Sequence, residues 1–347
     1  MNFSVAVSIK SDKIPVLNFL PSIGIEHIRD EIFEGLQAEN KYISSKFFYD
    51  ENGSRLFEQI TLLPEYYPTR TEKQILKNLN LTFISDFNNL KIIEIGSGDH
   101  SKISLLLHKI PQNTQNQTTY IPLDISATAI EQAGKALLNL FPKIQIQGIV
   151  ADFMKQLDCI PDGNNRLFCF LGSTIGNFTQ EQTNSFMLKI SEIMKPGEFF
   201  LVGFDSIKNK EILENAYNDK HGITAKFNLN ILNVINQLAE TNFNVSDFKH
   251  VSFYNTQLNR IEMHLEALTN VTIESKYLSK NIYMRKGDRI HTENSYKFDS
   301  VLIEKIATKS DFMVHTIFTD PNNWFHVALL KKREKNITFV DNNLLAI

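Results

Sequence analysis

Lys91-Ile92-Ile93-Glu94-Ile95-Gly96-Ser97-Gly98-Asp99 is the stretch that decides the fold. An apolar run of this length reads as a strand, and it ends abruptly in Glu-x-Gly-x-Gly. Small residues there let a ligand come close to bare backbone. In a doubly wound α/β sheet, nucleotide-like ligands bind at the carboxyl ends of the strands, and the first strand-to-helix turn is the glycine-rich one. The next acidic strand end then grips a ribose. Tyr120-Ile121-Pro122-Leu123-Asp124 supplies that residue, and the polar loop from Asn113 to Thr119 accounts for a spacing above the usual ~20 residues.

Two common nucleotide motifs do not fit. Gly96-Ser97-Gly98-Asp99-His100-Ser101 lacks the third glycine of a dinucleotide fingerprint, and Lys102 is not preceded by the glycine of a P-loop. Two later features favour S-adenosylmethionine. Ala151-Asp152-Phe153 offers a carboxylate and a ring for an adenine, and Met194-Lys195-Pro196-Gly197-Glu198-Phe199-Phe200-Leu201 is a helix-stop-strand step typical of methyltransferases. Taken singly, each of these is an ordinary strand-end turn. In this order they point to a methyltransferase core.

The chain has 347 residues and can bury a substantial core, in one large or two interlocked domains, with two preferred. A net charge of -3 and the lack of a sustained Lys/Arg stripe argue against a nucleic-acid partner and for a small-molecule substrate. Cys159 and Cys169 sit in no Cys-x-x-Cys or Cys/His cluster, and no two histidines are spaced as metal ligands, so no metal is expected. A reducing cytoplasm follows. Lys10, Asp12 and Lys13 interrupt any signal-peptide core, and no apolar run is long enough to span a membrane. A monomer is expected.

Along the chain, Gly24 to Ala38 reads as a helix with Ile25, Ile28, Ile32, Phe33 and Leu36 on one side. Tyr42 to Leu76 is crowded with aromatics, glycine and proline, and reads as a lid or pocket wall rather than a plain helix. From Leu90 to Asp205 strands and helices alternate: strands at 91–95, 120–123, 145–150, 166–171 and 198–204, helices at 101–109, 126–140 and 179–194. That pattern is a parallel sheet. Residues 209–238 read as helical, residues 251–275 contain an antiparallel strand, and helix 298–309 with strands near 312–318 and 324–331 completes the sheet. The expected architecture is therefore a Rossmann-like class I methyltransferase sheet (71–206 and 298–332) with a second, α+β substrate-binding domain (1–70 and 207–297). Residues 1–20 are an extra strand or a loose arm, and 333–347 a tail.

The chain also resembles a known family. Lys46-Phe47-Phe48-Tyr49-Asp50, Gly53-Ser54-x-Leu56-Phe57-x-Gln59-Ile60-Thr61-x-Leu63-Pro64-Glu65-Tyr66-Tyr67-Pro68-Thr69-Arg70-Thr71-Glu72 and Phe170-Leu171-Gly172-Ser173-Thr174-Ile175-Gly176-Asn177 are similar to the histidine Nα-methyltransferases of ergothioneine biosynthesis. Ala216-Tyr217-x-Asp219, Gly222-Ile223-Thr224-Ala225-x-Phe227-Asn228, Asn255, Arg260-Ile261-Glu262-Met263 and Glu293-x-Ser295-x-Lys297-Phe298 extend the likeness, which runs from about 42 to 331.

The resemblance implies transfer of three methyl groups from S-adenosylmethionine to the α-amine of L-histidine, giving hercynine. It implies that Tyr66, Asn177 and Tyr217 hold the carboxylate, and that Tyr49 and the Gly172 carbonyl face the amine nitrogen. Met263, Phe57 and Thr224 shape the pocket floor, and Glu293 and Ser295 take the two imidazole nitrogens. Gly96 and Lys102 lie along the cofactor's methionine part, Asp124 on its ribose, and Asp152 with Phe153 at its adenine.

By themselves these residues have plainer readings. A lone tyrosine is more often a core aromatic with a satisfied hydroxyl, Glu293 and Ser295 more often share an exposed strand face, and Lys102 is more often solvated. Asn294 and Tyr296 depart from the smaller residues of the family pattern, which is harmless if they face away from the pocket. Two rival readings remain: an N-methyltransferase for another aromatic amino acid or indole derivative, and a non-catalytic S-adenosylmethionine-binding protein.

Overall fold

A computed structural model describes residues 7–10, 14–21, 24–84 and 87–334. The expectations for residues 1–6 and for most of the tail, 335–347, fall outside the described residues. A hairpin of β1 (Val7–Lys10) and β2 (Pro15–Asn18) precedes α1 (Ile25–Gln37), α2 (Glu51–Leu62) and α3 (Tyr67–Asn78). The alternating region follows: β3 (Lys91–Ile95), α4 (Ser101–Leu107), α5 (Gln112–Gln115), β4 (Thr119–Asp124), α6 (Ala127–Leu140), β5 (Gln145–Ile146), β6 (Gly148–Val150), β7 (Arg166–Phe170), α7 (Gln180–Ile193) and β8 (Phe199–Asp205). The chain then leaves the sheet for α8 (Lys210–Tyr217), α9 (Ile223–Ala239), β9 (Phe248–Asn255), β10 (Arg260–Ala267), β11 (Val271–Ile273), β12 (Ile282–Met284) and β13 (Arg289–Tyr296). It returns as α10 (Ser300–Lys309), β14 (Phe312–Thr319) and β15 (Phe325–Lys332).

Among the described residues the main sheet runs β1-β2-β6-β4-β3-β7-β8-β15-β14, with β5 beside β4. From β2 to β8 neighbours along this order are parallel, and β15 and β14 close it antiparallel. Strands β7 and β8 are buried along their whole length, as expected of a parallel sheet covered on both faces. One face packs Ile75, Leu76, Ile103, Leu106 and Ile130 of α3, α4 and α6, and the other packs Phe186, Ile190, Ile303 and Ile306 of α7 and α10. Strand order reverses between β3 and β7, so the crevice for a ligand lies at their carboxyl ends. The Gly96–Gly98 turn and Gly172 both stand there.

Residues 42–76 differ from the reading above, because they form two regular helices. Asp50 caps α2 by accepting from the Gly53 N–H at 2.7 Å, and Pro68 lies in the first turn of α3, where its missing donor costs nothing. Glycine and proline stand at helix starts here, which hid the helical period. The 145–150 run is also split into two short strands, and the 251–275 region holds most of β9, all of β10 and all of β11. β10 is the middle strand of a separate three-stranded antiparallel sheet, β13-β10-β9. A third core joins Ile32, Phe33, Phe48 and Tyr67 from the first 70 residues to Leu213, Ile231, Met263 and Ile290 from the excursion.

Candidate active site

The aromatic residues singled out from sequence meet above the carboxyl ends of the main sheet. Tyr49 lies edge-on to Phe57 with centroids 5.8 Å apart, Phe57 to Tyr66 at 6.2 Å, and Tyr66 to Tyr217 at 6.2 Å. Phe227, stacked on Phe48 at 4.5 Å, backs both Tyr49 and Phe57 at 6.0 Å. Thr224 is buried one turn earlier on the same helix.

Strand β13 brings the polar end of the pocket. Its inward residues Glu293 and Ser295 are 9 % and 4 % exposed, whereas Asn294 and Tyr296 lie on the other face, bonded to His291 and Arg260. A bulge opposite Met263 and His264 inserts Thr292 as an extra residue and re-aims the strand next to Glu293. Met263 pairs directly with Glu293 and is 1 % exposed. The Tyr217 hydroxyl donates to Ser295 Oγ at 2.8 Å, so the tyrosine expected at a carboxylate is wired to the residue expected at the imidazole.

Electrostatics tie these groups together. Burial pushes the Glu293 carboxyl up to about 7, against a lowering by Lys297. Burial first, then Tyr217, Glu293 and Tyr49, holds the Tyr66 phenol well above its usual range. Tyr49 as a whole is 43 % exposed, yet its phenol is raised in the same direction, by desolvation of the hydroxyl, Glu293, Tyr217 and Asp124 in that order. Both tyrosines therefore stay protonated, and the influence of Asp124 on Tyr49 links the aromatic pocket to the carboxyl end of β4.

At that end Asp124 accepts from the Gly98 N–H at 3.1 Å and the Ser126 N–H at 3.0 Å, and burial raises its carboxyl despite these bonds. Gly96 and Gly98 adopt φ of +65° and +47°, so a side chain would strain both. A Cβ on Gly96 would also rest against the Phe153 and Phe170 rings, at 3.5 and 3.8 Å. Asp152 is half-buried and accepts from the Met154 N–H at 3.0 Å. Open backbone, a carboxylate beside the turn and an aromatic wall suit a nucleoside carrying a short chain.

Sequence reasoning gave no role to three buried groups that organise the site. Glu72 is fully buried, accepts the Gly172 N–H at 2.8 and 3.0 Å, and pairs with Lys102 at 2.8 Å. A Cβ on Gly203 would lie 2.3 Å from the Glu72 carboxylate, so β8 needs glycine there. Asp205, 1 % exposed, accepts from the Tyr67 hydroxyl at 2.8 Å and pairs with Lys208 at 2.6 Å and Lys297 at 2.9 Å. Burial works to raise its carboxyl, but the two ammonium groups prevail and hold it below its usual value. Asp205 ends a buried strand as Asp124 does, and Glu72 and Lys297 stand inside the quoted motifs; those were the available signals. Asn177 follows the Gly172 turn, half-buried, and its amide has no partner among the described residues.

A sequence model of a family described as histidine-specific, SAM-dependent methyltransferases matches residues 28–332. The chain belongs to this family. The methyltransferase is 36 % identical over 305 residues to histidine N-alpha-methyltransferase of Mycolicibacterium smegmatis, covering 88 % of this chain and 94 % of that one. It is 37 % identical over 271 residues to histidine N-alpha-methyltransferase of Mycobacterium tuberculosis, covering 78 % and 84 %. Against ergothioneine biosynthesis protein 1 of Neurospora crassa it is 29 % identical over 302 residues, which are 84 % of the methyltransferase but 33 % of the longer fungal chain. S-adenosylmethionine is thus the cofactor of this methyltransferase, and a small molecule its substrate. Among the described residues no helix is long and apolar enough to cross a membrane.

Proposed function

We propose that the enzyme methylates the α-amine of L-histidine three times, giving hercynine, the first step of ergothioneine biosynthesis. One observation carries the reading: Glu293 and Ser295, both buried on one face of β13, lie in the electrostatic and hydrogen-bonding reach of Tyr217, Tyr66 and Tyr49. A buried carboxylate next to a hydroxyl suits a ring with two nitrogens. It penalises a phenyl ring, which would leave the carboxylate without a donor.

Bound S-adenosylmethionine supplies an electrophilic methyl group, with Asp124 on its ribose, Asp152 and Phe153 at its adenine, and Gly96 and Lys102 along its methionine part. The chain's own task is positioning. An amine attacks only through its lone pair, so before each transfer it gives up one proton to solvent, and each transfer leaves S-adenosylhomocysteine. Its remaining N–H groups need acceptors that leave the lone pair free. The Tyr49 oxygen and the Gly172 carbonyl are such acceptors, and a protonated phenol places no anion beside the product cation. Tyr66 and Asn177 receive the carboxylate, and Tyr217, whose one proton goes to Ser295, only packs its ring beside Tyr66. As methyl groups accumulate, the tyrosine faces stabilise the quaternary ammonium. Phe57, Thr224 and Met263 close the apolar floor.

The same reading divides the chain into a catalytic part (71–206 and 298–332) and a substrate-binding part (1–70 and 207–297), except that β1 and β2 extend the main sheet beside β6 and go with the catalytic part. It has the chain working as a cytoplasmic monomer without a nucleic-acid partner. The test is incubation with S-adenosylmethionine and L-histidine, its mono- and dimethyl forms, L-tryptophan, L-tyrosine or L-phenylalanine, read by mass spectrometry. Trimethylated histidine is expected. Methylation of another amino acid alone would discard the substrate but keep the chemistry, and undiminished histidine turnover in Glu293→Ala/Ser295→Ala would discard the imidazole assignment.

A further inference from the structure

Lys297 continues the inward face of β13 two residues beyond Ser295, and it is 1 % exposed. Its ammonium group lies 2.6 Å from Ser295 Oγ, 2.9 Å from Asp205 and 3.5 Å from the Tyr217 hydroxyl. An ammonium donates and never accepts. One lone pair of Ser295 is therefore filled by Lys297.

The second lone pair faces Tyr217 at 2.8 Å. Of two hydroxyls in contact, the phenol is far more acidic than the aliphatic alcohol and is the better donor. With Lys297 on one side and Tyr217 on the other, both acceptor positions of Ser295 are used. Its own proton is left for whatever enters the pocket beside Glu293.

We infer that Lys297 and Tyr217 lock Ser295 as a hydrogen-bond donor, so that the pocket takes a neutral imidazole in one tautomer and rejects imidazolium. Lys297 is on this account a positioning residue that sets specificity through Ser295. The inference rests on histidine being the substrate. A neutral imidazole has one N–H and one bare nitrogen; the N–H suits Glu293 and the bare nitrogen suits Ser295. Imidazolium has two N–H groups, and one of them would meet the Ser295 proton with no lone pair to receive it.

The surrounding charges agree. From β13 and its continuation, the end of β8 and the segment after it, Glu293, Lys297, Asp205 and Lys208 face this corner. With its carboxyl pushed up to about 7, Glu293 is largely protonated at pH 5.5 and takes the ring N–H through its carbonyl oxygen. That leaves one anion against two cations, while Tyr49, Tyr66 and Tyr217 are held protonated. A neutral ring leaves that balance undisturbed. Lys297 itself is kept charged by Asp205 and Tyr217 against the lowering effect of burial.

The test is 15N NMR of ring-labelled L-histidine bound to the full-length enzyme with the demethylated cofactor S-adenosylhomocysteine, at pH 5.5. A free imidazole of pKa about 6.5 is then mostly protonated. One bare and one protonated nitrogen in the bound ring is expected. Two protonated nitrogens would mean that Ser295 accepts from the ring and passes its proton to Tyr217, and would overturn the inference while the histidine reading stands. Histidine that binds neither at pH 5.5 nor at pH 8, where the free ring is neutral, would overturn both.

Lys297→Met empties one acceptor position on Ser295, and at least a tenfold rise in the imidazolium share of the bound ring is expected. If the variant binds the cofactor normally and its ring keeps one bare nitrogen, Lys297 does not set the serine. Should Lys297→Met fail to fold, Tyr217→Phe empties the other position, and an unchanged ring signature there would equally overturn the proposal.

Discussion

Asp124 holds its own turn and, by the reading above, a ribose as well. Its carboxylate accepts two backbone N–H groups, which aims it at the crevice and keeps the glycine turn open. Loss of a charged acceptor is worth about 1.5–3 kcal/mol per hydrogen bond. Asp124→Ala should therefore weaken S-adenosylmethionine binding roughly 10- to 100-fold by calorimetry, and an unchanged Kd would remove the ribose assignment. Glu94 makes a different residue-scale prediction. It is 2 % exposed, accepts from the Tyr120 hydroxyl, and burial pushes its carboxyl up to about 8. The folded state then binds more protons than the unfolded state between about pH 4.5 and 8. Stability conferred by the protonated form is present at low pH and is lost as pH rises through that window. Glu94→Gln removes this slope, so its melting temperature should gain on wild type by a few degrees between pH 5 and 8. Parallel wild-type and variant curves over that range would contradict the assignment. At this scale the turn glycines, Asp124 and Asp152 were legible because each must occupy a fixed place in the chain order. Glu72, Asp205 and Lys297 were not, since a buried charge shows itself only through partners distant in sequence.

Helix α2 starts only because residue 53 has no side chain. A Cβ at Gly53 would stand 1.7 Å from the Phe48 carbonyl oxygen and 3.0 Å from the capping Asp50 carboxylate. Asp50 is bonded in turn to Asn230 of α9 at 2.8 Å, so the cap also ties α2 to the excursion. Tyr49 sits between these anchors. Gly53→Ala should cost at least about 2 kcal/mol, in the range of other overpacked buried sites, and should displace Tyr49. Its histidine turnover should fall more than tenfold with the Kd for S-adenosylmethionine nearly unchanged; equal losses in both would show a general collapse instead of a local one. The elements of the main sheet could be read from sequence because strands buried on both faces are continuous apolar runs between helical stretches. Helices α2 and α3 could not, because Gly53 and Pro68 carry opposite meanings inside a helix and at its first turn. The bulge at Thr292 was equally hidden, since it is a property of two strands and not of one.

The whole molecule is joined through Asp205. Its three donors come from α3, from the segment after β8 and from the end of β13, so one carboxylate holds together the early helices, the sheet and the returning chain. The core above the sheet is likewise built from residues 32–67 and 213–290, neither of which fills it alone. Unfolding the excursion would strip the apolar faces of α1 and α2 and open the Asp205 cluster at once. The chain should therefore melt in a single calorimetric transition, shifted upward by S-adenosylmethionine through mass action. Two resolved transitions, one of them insensitive to the cofactor, would show that the two halves are energetically separate. Asp205→Ala tests the joint directly. It leaves Lys208 and Lys297 as buried ammonium groups without their carboxylate, at a cost of about 3–5 kcal/mol for a broken buried pair. With an unfolding entropy of about 2.1 cal/mol/K per residue, a chain of this length should lose roughly 4–7 °C in melting temperature. The loss should be smaller above pH 8, because burial already lowers the Lys208 ammonium to about 8 and a neutral amine no longer needs the carboxylate. A deficit that stays constant from pH 6 to 9 would mean that Asp205 acts through packing and not through charge.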